Sequence, residues 1–314
     1  MVHQKKSSSL HCSIFTTALH TVKPHKIYRN IKTAYFVFLL FAVLAFSSCV
    51  SSPSLAPDEA DLLYPVESYI PEQFVWQKIN ADHELEYLKF TGSDYPIIYH
   101  AIKINLDDAD LKILCYPSTP DTPSFFDGQQ TQTFATKNQC VVAINASPYA
   151  AKSNFFRRRQ LIGIHISNKV QLSPPNQRYA ALAFTKTQTG WLAQITDSQT
   201  PQDFTNSTFA FGGFYVILTH GAEQSFRAAN HDSRTAVGLS EDGKLLYILV
   251  AEGERKSQSE GLSYQQCARI LKKMGCSDAL EFDGGGSTQL CINGKSVLSY
   301  PNLRYQANSF GFKY

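Results

Sequence analysis
The stretch that most limits the fold is Leu280-Glu281-Phe282-Asp283-Gly284-Gly285-Gly286-Ser287-Thr288. Apolar and acidic residues alternate, and then three glycines follow in a row. Residues two apart on a strand share a face, so Glu281 and Asp283 are expected to point one way while Leu280 and Phe282 enter the core. Glycines Gly284, Gly285 and Gly286 carry no Cβ, so their N–H groups can approach a ligand closely. The hydroxyls of Ser287 and Thr288 extend that donor set. The pattern suits an anionic ligand; its plain alternative is a tight turn flanked by surface acids.

The flanking residues favour a site. Ser263 with Gln266 three residues later forms a capping box. Tyr264, Cys267, Ala268 and Leu271 follow the helical period, Lys272 and Lys273 fall in the last turn, and Gly275 stands just past the end. This predicts a helix over 264–274. After the glycines, residues 289–292 and 295–298 flank Asn293-Gly294 and read as a hairpin. The order helix, strand, glycine turn, hairpin excludes two nucleotide-binding loops. No GxGxxG opens a helix, and no Lys follows the glycines as in a Walker A loop.

The first 33 residues carry six basic residues (Lys5, Lys6, Lys23, Lys26, Arg29, Lys32) and no acid. The apolar run Ala34 to Phe46 comes next, then Ser47-Ser48-Cys49. This is the pattern of an export signal. Ser47-Ser48-Cys49 resembles a bacterial lipobox, with Cys49 as the lipidated first residue of the mature chain. The run is shorter than the roughly 20 residues of a spanning helix. The protein is thus expected to be exported and held in the bacterial cell envelope by a lipid anchor. Residues 1–48 would be the signal peptide, 49–73 a flexible Ser- and Pro-rich tether, and 74–314 one domain. The whole chain carries a formal charge of +3, and removing the six leader residues leaves −3, so no basic surface argues for nucleic acid. With Cys12 and Cys49 set aside, Cys115, Cys140, Cys267, Cys276 and Cys291 remain. Export permits disulfides, an odd count leaves a free thiol, and a bridge between Cys276 and Cys291 could close the glycine turn.

Strand-like runs recur at 85–90, 97–106, 110–116, 140–144, 161–166, 180–185, 191–195, 215–218, 235–239, 244–251 and 309–312. Glu241-Asp242-Gly243 turns one hairpin. Helical patterns are confined to 130–138 and 264–274. Strand excess with few crossovers predicts an α+β fold, a single mixed, strand-rich domain, rather than a doubly wound sheet.

These segments, in this order, resemble the phosphodiester glycosidase family. Residues 261–290 are similar to its C-terminal signature, a helix with Gly-x-[ST] followed by Leu-Asp-Gly-Gly-Gly-Ser. Ser233-Arg234-Thr235-Ala236-Val237-Gly238 resembles the family's Pro-Arg-Thr-Ala-hydrophobic-Gly strand. Ala251-Glu252-Gly253-Glu254-Arg255 resembles a strand end of Asp-Gly-Arg type. Phe211-Gly212-Gly213-Phe214 is similar to a glycine-rich stretch ahead of a strand, and Val142-Ala143-Ile144-Asn145 to an Ala-x-Asn element. The likeness covers residues 85–314. It departs at Ala146-Ser147-Pro148-Tyr149, where the family has glycines and Phe, at Glu281, where Asn is common, and at Glu252, which replaces Asp.

The resemblance implies hydrolysis between a sugar anomeric carbon and a phosphate, typically in N-acetylglucosamine-1-phosphodiesters. No cofactor is expected; Asp283 and Glu252 could in principle share a divalent metal, but no strong ligand spacing is present and no metal is expected. Arg234 is then expected to hold the phosphodiester by paired hydrogen bonds. Asp283 is the expected base, nucleophile or hydroxyl anchor, with Glu252 or Glu281 as the second carboxyl. Asn145, Glu281, Gly284, Gly285, Gly286, Ser287 and Thr288 are expected to bind the sugar-phosphate or glycan substrate. His231, a loop histidine near Arg234, could shuttle protons, although such a residue is ordinarily structural. Two other readings use the same residues: a non-catalytic glycan-binding lipoprotein, and a phosphodiesterase that cuts P–O.

Overall fold
The computed structural model describes residues 64–119, 124–151, 157–226 and 230–314. The leader, the lipobox cysteine and most of the expected tether lie outside the described residues. Among the described residues no helix is long and apolar enough to cross a membrane.

Apolar residues, β-branched, aromatic and leucine among them, recur along the predicted runs, and these become strands in antiparallel ladders. The largest sheet has eight strands in the order Gln77–Lys78, Leu85–Thr91, Ile98–Asn105, Leu245–Ala251, Arg234–Leu239, Asp278–Glu281, Val216–Thr219 and Ala222–Glu223. A five-stranded sheet runs Val170–Ser173, His165–Ser167, Phe209–Gly212, Ala181–Lys186, Trp191–Thr196. A second five-stranded sheet runs Lys295–Ser296, Leu290–Ile292, Val142–Asn145, Ser309–Lys313, Lys112–Tyr116. Three short strands, Phe125–Asp127, Arg158–Leu161 and Tyr149–Ala151, form the last. Only two α-helices are described, α1 (Thr131–Asn138) and α2 (Tyr264–Met274). The strand-rich α+β expectation therefore holds. Residues 161–166 form no single strand; the chain breaks at Gly163, which has φ +88°.

Strand alternation gives the eight-stranded sheet two buried faces. Ile102, Ile104, Val237, Ile248, Val250 and Leu280 face a core shared with both five-stranded sheets. There Phe310 packs against Phe184, Phe211, Phe282 and Phe312, stacking on Phe211 with centroids 4.5 Å apart. Tyr99, Ala101, Ala236, Leu249 and Ala279 face the other way, against Cys267, Ala268, Ile270 and Leu271 of α2. The predicted capping box is formed: Gln266 N donates to Ser263 Oγ at 3.2 Å, and Ser263 N donates to Gln266 Oε1 at 2.9 Å. Gly275 closes the helix at φ +107°.

Two expectations need correction. The tether does not extend to residue 73, because Tyr69 is fully buried and its carbonyl accepts from the Tyr99 hydroxyl at 3.0 Å. Aromatic and apolar side chains at Tyr64, Tyr69 and Ile70 fasten this polar-looking segment to the α2 side of the sheet. The cysteine bridge is absent as well. All five domain cysteines are free and buried; Cys276 lies in the α2-side core and Cys291 in a separate cluster with Cys140 and Phe134.

The shared aromatic core predicts the largest stability effect. Phe310→Ala should lower unfolding stability by about 3–5 kcal/mol, whereas Ser263→Ala, which removes one cap, should cost about 1 kcal/mol. Urea unfolding of both variants checks the order; equal losses would contradict this assignment of the core.

Candidate active site
Ladder register brings the expected residues to one end of the eight-stranded sheet. Arg234 pairs with Ala251, the residue before Glu252, and Ala236 pairs with Glu281. Asn145 ends a strand of another sheet and reaches across. Its Nδ2 donates to Asp283 O at 2.6 Å, while its Oδ1 accepts from Thr235 Oγ1 and Gln289 N, each at 2.9 Å. With 1% of its surface exposed, Asn145 serves these three partners and clamps the turn from below.

The glycine turn is a short 3-10 segment, Gly285–Ser287. Its three glycines answer three separate demands. A Cβ on Gly284 would lie 2.7 Å from Ser233 O. Gly285 has φ +56°. A Cβ on Gly286 would lie 2.5 Å from Nη2 of Arg304, whose guanidinium is laid against the bare backbone. Three amides are used internally: Gly285 N donates to Ser233 O, Ser287 N to Gly284 O and Thr288 N to Gly285 O. The amides of Gly284 and Gly286 take no such bond among the described residues. Thr288 Oγ1 is buried without a partner among the described residues.

The expected acids fall into three surroundings. Asp283 sits in the turn, where burial pushes its carboxyl up to about 6 against the opposing pull of the Ser287 hydroxyl and Arg304. Glu281 is fully buried on the α2 face, with neither carboxyl oxygen hydrogen-bonded among the described residues. Burial lifts it to about 7, opposed by Arg234 and the Cys267 thiol. Glu252 lies on the opposite face. Its Oε1 accepts from His100 Nε2 at 2.8 Å and Ser299 N at 3.0 Å, and its Oε2 accepts from the Ser299 hydroxyl. Burial would raise Glu252, but His100 and Ser299 together outweigh it and hold the carboxyl below its ordinary range.

Arg234 does not reach Asp283 with its guanidinium. Nε donates to Leu262 O at 2.8 Å, Nη2 donates to Asn230 O at 2.6 Å, and the group stacks 4.3 Å over the Tyr264 ring. The arginine that acts on Asp283 is Arg304, whose Nη1 also donates to Ser287 Oγ at 3.4 Å. His231 packs against Tyr64, and burial lowers its pKa. Sequence reasoning missed Arg304, Tyr300, Ser299 and His100. Only a lone arginine in an irregular loop marked the first of these.

Beside the turn opens a cleft of about 430 Å³, lined by Glu254, Arg255, Gly286, Tyr300, Pro301, Asn302 and Arg304. Asp232 lies near the turn, with Oδ2 3.4 Å from the Cβ position of Gly285. A larger cleft of about 550 Å³, lined by Gln194, Asp197, His220, Glu241 and Asp242 among others, contains none of the expected residues. Among the described residues no group of three or more His, Cys, Asp or Glu side chains could hold a metal ion.

This arrangement, a lifted carboxyl and an arginine on a Cβ-free turn inside a strand-rich domain, agrees with the family likeness. The family model described as phosphodiester glycosidase matches residues 138–313, and the chain belongs to that family. The matched region contains Asn145, Arg234, Glu252, Asp283 and Arg304; His100 and Tyr87 precede it. N-acetylglucosamine-1-phosphodiester alpha-N-acetylglucosaminidase of Mus musculus is 30% identical over 115 residues, which are 36% of this chain and 19% of the relative. The Homo sapiens enzyme of the same name is 29% identical over the same length and shares. The match thus spans about a fifth of these curated relatives. In fold, the chain is similar to the catalytic domain of the zebrafish enzyme of that name, auto-inhibited by its pro-peptide. The TM-score is 0.58 at 17% identity, covering 76% of this chain and 87% of that one. A hypothetical protein from Synechocystis has a TM-score of 0.55 at 14% identity, covering 73% of this chain and 61% of that one.

Two predictions follow from the turn and from Glu281. Gly284→Ala forces the new Cβ against the Ser233 carbonyl and should cost about 1–3 kcal/mol. Gly286→Ala displaces only the tip of Arg304, so thermal unfolding should barely change while the Asp283 pKa, read by NMR titration, rises above about 6. Similar stability losses in both variants would refute the distinction. Glu281 holds its proton more tightly in the folded chain, so it adds stability below its unfolded pKa and loses it as pH rises through about 7. Glu281→Gln removes that titration. Its stability relative to wild type should rise between pH 4 and pH 8, by on the order of 3 kcal/mol at most. A pH-independent difference would show that Glu281 does not titrate in this range.

Proposed function
We propose that this protein is a lipid-anchored envelope hydrolase that cleaves the C1–O bond of a sugar-1-phosphodiester, such as an N-acetylglucosamine phosphodiester. Family membership supports the reaction class, and the names of the mammalian relatives support the sugar. The basic leader, apolar run and Ser47-Ser48-Cys49 support export and lipidation at Cys49. The observation that carries the reading is the placement of Asp283 in the glycine turn, its carboxyl lifted by burial and drawn down by Arg304, which lines the adjacent cleft with Arg255 and Gly286.

In this reading Arg304 and Arg255, which line the cleft with Gly286, face the phosphodiester charge, and the amides of Gly284 and Gly286 bind its oxygens. Asp283, ionised at neutral pH, takes a proton from water. The water oxygen bonds to C1, the C1–O bond breaks, and its electron pair leaves with the phosphate monoester. That leaving group is already a weak base, so neutralisation by arginine replaces a strong general acid.

In water enriched with heavy oxygen, label should enter the released sugar and not the phosphate. kcat/KM should fall as pH drops through about 6, where Asp283 becomes protonated. Asp283→Asn should reduce turnover on the order of 10²–10⁴-fold. Label in phosphate would replace this reading with a P–O phosphodiesterase, and saturable binding without turnover would leave a glycan-binding lipoprotein.

A further inference from the structure
Residues 298–305 form a strap across the glycine turn. No backbone group in it bonds to another backbone group among the described residues. Side chains hold it instead. At its far end, Asn302 Nδ2 donates to Gly286 O at 3.0 Å and Thr288 O at 2.8 Å, and Gln289 Nε2 donates to Arg304 O at 3.1 Å. At its near end the strap is tied through Ser299. Both the amide and the hydroxyl of Ser299 end on Glu252, and Arg255 Nη1 donates to Ser299 O at 3.2 Å. Glu252 is itself fixed from behind, since His100 is fully buried and its Nδ1 is bonded to the Tyr87 hydroxyl at 2.8 Å.

A reacting carboxylate needs an oxygen free to meet substrate or water. Glu252 has three donors on its two oxygens and 1% exposure. It is therefore badly placed for the second-carboxyl role that its motif suggests. We propose that Glu252 is a positioning residue: with His100 and Tyr87 it forms a buried anchor for Ser299, and so sets where the strap places Tyr300 and Arg304 over the cleft. Tyr300, next in the chain, meets Ser233 Oγ at 3.3 Å and lines the cleft with Arg304. The family strand end after Ala251 thus acts on the reaction through a loop some fifty residues away in sequence rather than through the substrate.

This inference rests on the proposed hydrolase reading, and its test separates the two. Ser299→Ala deletes only a hydroxyl; Glu252→Gln keeps shape and removes the charge. Both should speed amide exchange across 299–305, raise KM several-fold more than they lower kcat, and move the acidic limb of kcat/KM upward. The limb moves because Arg304, which draws the Asp283 carboxyl down, no longer keeps its place; Asp232 also lies near the turn, with Oδ2 3.4 Å from the Cβ position of Gly285. A catalytic Glu252 predicts otherwise: kcat collapses in Glu252→Gln, Ser299→Ala behaves as wild type, and the idea is overturned. Faster exchange with unchanged kinetics overturns it as well. If the wild type binds N-acetylglucosamine-1-phosphate without turnover, the proposed reaction fails and the strap is judged on that ligand. Several-fold weaker binding by Ser299→Ala then upholds the anchor, and equal binding refutes it. A wild type that neither turns over nor binds refutes both readings.

Discussion
One side-chain amide holds the site together. Asn145 belongs to a different sheet from Thr235, and Asp283 lies past the end of its strand, yet a single group bonds to both and to the amide of Gln289. A buried amide can satisfy these partners at once only if the two sheets and the turn keep one spacing. Burying three polar partners without it would cost roughly 1–3 kcal/mol each. The carbonyl of Asp283 is thereby fixed, and with it the direction of the carboxyl above. The expected sugar contact at Asn145 gives way to a role beneath the turn.

Carboxyls two residues apart in sequence have separate surroundings here. Glu281 ends its strand facing α2, in an apolar setting with Arg234 and Cys267. Asp283 comes after the strand has ended, where Asp283 N donates to Ala146 O at 2.8 Å and the chain enters the turn. Period-two alternation fails at that step, because it applies only while the ladder continues. The two arginines divide in the same way: Arg234 serves the α2 face and Arg304 serves the cleft.

Local signals made much of this legible. Helix α2 was readable from Ser263, Gln266 and Gly275, because caps act within one turn of chain. The hairpin at Asn293-Gly294 was readable because both residues take positive φ, 49° and 74°. Asp283 and the glycines stood out by composition. Arg304 did not, since nothing in Pro301-Asn302-Leu303-Arg304 repeats with any period and its partner lies in a turn earlier in the chain. His100 shares its predicted run with the polar Lys103 and Asn105 and does not stand out there; only the ladder register with Val250 brings it to Glu252. The cysteine bridge failed for the same reason: nearness in sequence to a turn says nothing about which core each thiol enters.

The contact of Arg304 with Gly286 has an evolutionary corollary. The guanidinium occupies the volume that any side chain at 286 would need. The two positions are therefore not free to drift independently. Among descendants of this chain, a residue larger than alanine at 286 should persist only where 304 has shortened or its loop has been re-routed, because the guanidinium must then leave its place against the turn altogether.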